Sequence, residues 1–98
     1  MNENEVDTDR IVSAMTTAAG LMIYAAAMKR DGRHQDSDWA TDTGAVLVRF
    51  VGEALGLPHP EALQAVQVAA KEIGPKILES RESLNSFCAD IERARNSS

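Results

Sequence analysis

Sulfur crosslinks, aromatic bulk and positive charge are all scarce in this sequence. There is one cysteine, Cys88, in 98 residues. A lone thiol rules out an internal disulfide and suits a reducing compartment, so the expected location is cytoplasmic. Only Tyr24, Trp39, Phe50 and Phe87 are aromatic, which leaves a core to be filled by small side chains. Ten Lys and Arg stand against fifteen Asp and Glu, a net charge of −5. That balance argues against non-specific attachment to nucleic acid or to an anionic membrane, both of which need clustered cations. No uninterrupted apolar run reaches the roughly 18 residues of a membrane span. The longest near-apolar stretch, 21–28, ends at Lys29 and Arg30. The acidic, polar residues 1–9 do not read as a signal peptide.

What the chain does have is helical periodicity. Ile11, Met15, Ala18, Met22 and Ala25 are spaced four, three, four and three apart, the seam of a helix packed lengthwise against another. Val12, Ala19, Ile23 and Ala26 form a second stripe beside it, with Ser13, Ala14, Thr16, Thr17 and Gly20 between. A helix this apolar with side chains this small is suited to close approach from several sides. A single domain of 98 residues is expected, with a modest, alanine-rich core. Each buried alanine contributes little at about 25 cal/mol per Å², so association with a second chain is a natural source of added stability.

The predicted fold is all-α: a compact bundle of about four helices. A long first helix spans about 8–30, capped by Asp7 or Thr8 and stopped at Asp31-Gly32. The second, 37–55, starts at a Ser37 cap and stops at Gly56 before Pro58. The third, 60–73, opens at Pro60 and ends at Gly74-Pro75, since proline removes a backbone donor and clashes with the preceding turn. The fourth, 75–95, presents Ile77, Leu84, Cys88 and Ile91, with Leu78 and Phe87 alongside.

Residues with chemical potential are few. His34 and His59 lie in connections, and neither has a second ligand at metal-binding spacing on a shared helix face. Cys88 repeats with Leu84 and Ile91 at helical intervals, which marks a packed thiol. Lys29, Arg30 and Arg33 form the one basic cluster (with His34). It reads as compensation of a helix dipole, with an anion site as the alternative. Met15, Met22 and Met28 read as core fillers before they read as an adaptable binding surface. The triplet Trp39-Ala40-Thr41 lacks the glycine of the Trp-x-Gly turn found in small secreted helical hairpins, and no family is recognisable from these residues. No paired carboxylates, nucleophile–base arrangement or glycine-rich phosphate loop appears at usable spacing, so no enzyme, cofactor or metal is expected.

The expected function is therefore non-enzymatic: a small acidic interaction protein, an inhibitor or adaptor that docks on a partner macromolecule. The partners expected are a second copy of the chain, a homodimer or higher oligomer sharing Ile11, Met15, Ala18, Met22 and Ala25, and an unidentified protein met by Asp36, Asp38, Asp42 and Trp39. A nucleic-acid-binding enzyme, such as a bacterial defence nuclease, is one target class, because acidic side chains would occupy its phosphate channel. Two alternatives stand beside this. Residues 48–68 read as a helix-turn-helix-like DNA-binding regulator, although Glu61, Gln64 and Gln67 precede the first cation, Lys71. The other alternative is a small-molecule or anion binder with a pocket between helices.

Overall fold

The computed structural model describes residues 3–97, with side chains described from Thr8 onward. Four α-helices follow one another: α1, Glu3–Arg30; α2, His34–Leu55; α3, His59–Ile77; and α4, Arg81–Asn96. No strand occurs among the described residues. The all-α bundle with a long first helix is therefore the fold.

α1 begins five residues before the predicted start, so the expected caps Asp7 and Thr8 lie inside it. At 1.5 Å per residue, 28 residues make a rod of about 42 Å, which matches the longest dimension of the molecule, 42 Å against 27 and 26 Å. α1 thus sets the length of the bundle. By length and composition 8–30 also suffices to cross a membrane, contrary to the expectation from uninterrupted runs. Half of its most apolar window is buried inside the bundle.

The short connection at Gly32 (φ 79°) brings α2 back along α1. α2 starts at His34 rather than Ser37, and Arg33 precedes it with no side-chain cap. Starting one turn earlier frees Ser37 to turn inward. Its hydroxyl is buried and donates to the Ala25 carbonyl at 2.9 Å, tying α2 to α1. Gly56 (φ 68°) closes α2 in the left-handed conformation that glycine adopts without steric cost. Pro58 then leads into α3.

The Gly74-Pro75 pair does not end α3. The helix continues to Ile77, and α4 opens only at Arg81. Pro75 lies in the last turn at an exposed position, where its missing N–H costs little, and the Leu78 N–H still reaches the Gly74 carbonyl at 2.8 Å. Ile77, expected on the fourth helix, therefore belongs to the third. Ser80 supplies the α4 cap, accepting from the Ser83 N–H at 3.0 Å.

Two clusters share the faces of α1. Leu21, Tyr24, Ala25, Ala27, Met28 and Ala40 form one, covered by Trp39, Leu84, Phe87, Cys88 and Ile91. Ala18, Ala19, Val48, Ala62 and Val66 form the other, flanked by Met22, Leu63 and Ile73. Ala18 and Ala25, expected at a surface shared with a second chain, are thus enclosed by the same molecule. Their small side chains let α2 and α3 close over them. Ile11, Met15 and Met22 remain half-buried.

Glycine positions on α2 give a direct test of this packing. A Cβ at Gly52 would lie 3.1 Å from the Leu57 carbonyl oxygen and 3.3 Å from the Ala62 Cβ, whereas at Gly44 the nearest neighbour is the Leu21 Cβ at 3.8 Å. Helix propensity favours alanine at either site by about 1 kcal/mol. Gly44→Ala is expected to raise the urea midpoint, and Gly52→Ala to lower it despite the same propensity gain.

Candidate docking groove and its ionic clasp

α1 differs along its length. From Ala18 to Met28 it is largely enclosed, while from Thr8 to Thr17 only Ala14 is buried. The open face carries Val12, Ser13, Thr16 and Thr17, short side chains that leave a trough. The Thr16 hydroxyl donates back to the Val12 carbonyl at 3.0 Å, so it makes no outward demand for a polar partner there.

Two cavities run along this face and meet at Thr17. One, of about 470 Å³, lies over Arg10, Ser13 and Ala14 against Leu47 and Phe50 of α2. The other, of about 420 Å³, continues over Thr16, Gly20 and Leu21 between Trp39 and Thr43 of α2 and Phe87, Ile91 and Ala94 of α4. The second is the more enclosed of the two, and its volume falls within the roughly 300–1,000 Å³ of ligand-sized clefts. Large apolar side chains stand exposed on the two helices that form the trough: Val12 is 56% exposed, Val46 64% and Phe50 41%. α1 is the floor, α2 one wall, and α4 a second wall over only part of its length.

α4 is fastened at one end by a cluster of polar groups. The Asp36 carboxylate accepts from Arg33 at 2.7 Å and from Arg95 at 2.8 Å. Glu92 accepts from the Tyr24 hydroxyl and from Arg33, each at 3.3 Å. The Arg95 guanidinium lies 4.3 Å from the centre of the Trp39 ring, and Tyr24 meets Trp39 edge to face at 6.2 Å. The hydrogen bond from Arg95 holds the Asp36 carboxyl below the usual aspartate range, and Arg33 adds to the effect. Burial pushes the Tyr24 phenol up, and the nearby Glu92 and Asp36 charges push it further. Burial likewise raises the Cys88 thiol, which disfavours the thiolate a nucleophile needs.

The residues expected to meet a partner are therefore divided. Asp36 and Trp39 are occupied inside the chain, whereas Asp38 and Asp42 are exposed on α2 with no ion pair among the described residues. The expected basic cluster is also split: Arg33 is held by Asp36 and Glu92, and Lys29 and Arg30 stand exposed at the end of α1. His34 and His59 are exposed, and no three His, Cys, Asp or Glu side chains converge among the described residues. Tyr24, Glu92 and Arg95 were not anticipated as a unit. Their one sequence signal is that Glu92 and Arg95 share a helical face with Cys88 and Ile91. Comparison with family models, with curated proteins and with solved structures finds no match.

The clasp makes stability depend on pH with a definite sign. A carboxylate whose pKa is depressed by folding stabilises the fold above its unfolded value, and that contribution disappears as pH falls through the folded value. Thermal midpoints measured from about pH 6 to about pH 2 should fall at the acid end, and Asp36→Asn should flatten the fall while lowering the midpoint near neutrality.

Proposed function

We propose that this chain is a non-enzymatic docking protein, an inhibitor or adaptor that pairs with itself along the open half of α1 and presents an acidic α2 face to another macromolecule. The observation that carries the proposal is the unequal cover of α1. Its C-terminal half is largely covered by the chain's own helices, while its N-terminal half faces a trough walled by the exposed Phe50, with Val12 and Val46 exposed elsewhere on the same two helices. Short side chains at Ser13, Thr16 and Thr17 permit close approach of a second helix, and a two-fold pair uses the same patch twice. In this reading the shared surface lies on the side of α1 away from the buried Ala18 and Ala25.

Asp38 and Asp42, one helical turn apart and exposed, are the carboxylates that remain to meet a basic partner surface. The DNA-binding alternative has less support. The buried side of 48–68 is packed through Val48, Val51, Ala62 and Val66, and exposed α3 positions carry Glu61 and Glu72 as well as Lys71 and Lys76. With no excess of cations, little holds the helix to phosphates. A free thiol at Cys88 agrees with a reducing, cytoplasmic setting.

Sedimentation velocity over a range of concentrations tests the reading. The wild type is expected to sediment as a dimer, and Val12→Glu to shift it to monomer with unchanged helical circular dichroism, since Val12 is exposed and its loss leaves the core intact. A wild type that stays monomeric at the highest concentration would overturn self-pairing.

A further inference from the structure

α4 is the least secured element of the bundle. None of its residues is fully buried; Leu84, Phe87, Cys88 and Ile91 reach the core from half-exposed positions. Its attachments also include the polar contacts of Glu92 and Arg95 gathered at one end. Ion pairs this open to water add little to stability, and segments with few buried contacts open before the whole molecule does. The covalent tie to α3 is three residues, Leu78 to Ser80.

Beneath α4 is a seat shaped to it. Gly20 has no side chain where the Phe87 ring lies; a Cβ there would be 3.3 Å from the Phe87 Cζ. Asp36 stands where α4 brings Arg95, Arg33 and the Tyr24 hydroxyl stand where it brings Glu92, and Trp39 presents its face to the Arg95 guanidinium. Steric gap, charge and ring thus each select one feature of the helix, and all of those features recur in every copy of the chain.

We infer that α4 is a releasable strap, and that its seat, once vacated, accepts the α4 of a second copy. The inference rests on the self-pairing reading only in making the chain its own partner; the contact surface is a different one. Release of α4 removes the second wall of the trough and joins the seat to the open half of α1. The occupant follows from charge complementarity: a foreign helix would need a cation opposite Asp36, a carboxylate opposite Arg33 and an aromatic ring over Gly20, a set that α4 already carries.

A fluorescent peptide of residues 79–97 titrated into the full chain, followed by anisotropy, tests this. The receiving chains are the wild type and the double variant Glu92→Gln/Arg95→Gln. These changes loosen the resident α4 but leave the seat intact, and the probe keeps Glu92 and Arg95. The probe should bind the double variant about tenfold more tightly than the wild type, because the resident helix competes for the same site. Adding Asp36→Asn to the double variant should weaken binding again. Hydrogen exchange of the wild type should show α4 amides exchanging faster than those of α1. No binding to the folded double variant, or equal affinity for both chains, would overturn the inference. If the double variant fails to fold, α4 protection equal to that of α1 in the wild type would overturn it. Val12→Glu should bind the probe as the wild type does. A wild type that stays monomeric in sedimentation yet takes up the probe sinks the self-pairing reading and leaves this one standing.

Discussion

The bundle depends on small side chains set between larger ones along the second half of α1. Ala18, Ala19 and Ala25 let α2 and α3 close on the helix, and Gly20 leaves room for the Phe87 ring of α4. Tyr24 is the largest side chain of that stretch, a ring wholly enclosed, and its hydroxyl is matched by Glu92. Close approach supplies dispersion contacts that small side chains cannot provide at longer range. It also brings backbone groups within reach of side chains across the interface, as in the bond from Ser37 to the Ala25 carbonyl.

Helical periodicity made the fold legible, since it follows from the spacing of apolar residues over long stretches. Ends were less legible where the deciding contact is distant. Ser37 has the chemistry of a cap, but its hydroxyl satisfies a carbonyl twelve residues away, so α2 begins a turn earlier. Pro75 carries a strong local stop signal, yet at an exposed position in a last turn the cost of its missing donor is small, and the helix passes through it. The seam of Ile11, Met15, Ala18, Met22 and Ala25 is real, but periodicity does not say whose helix covers a stripe. For Ala18 and Ala25 the cover comes from within.

The clasp was less legible still. Asp36 and Arg95 are separated by 59 residues, and no pattern in the intervening chain pairs them. Asp36 read as a free carboxylate because its local company, Ser37 and Asp38, is polar. Three-dimensional closure makes it the hub of two arginines instead. The same closure turns Trp39 from an isolated aromatic into a ring held between Tyr24 and Arg95.

Trp39 is the single indole of the chain, and it sits where α1, α2 and α4 converge. Its emission therefore reports on one location and is not averaged over several. A guanidinium over one face and a perpendicular tyrosine ring beside it create a polar, anisotropic setting for its excited state. Because one of those two neighbours belongs to the most loosely held helix, the intrinsic fluorescence of the unlabelled protein is a built-in gauge of whether that helix is home.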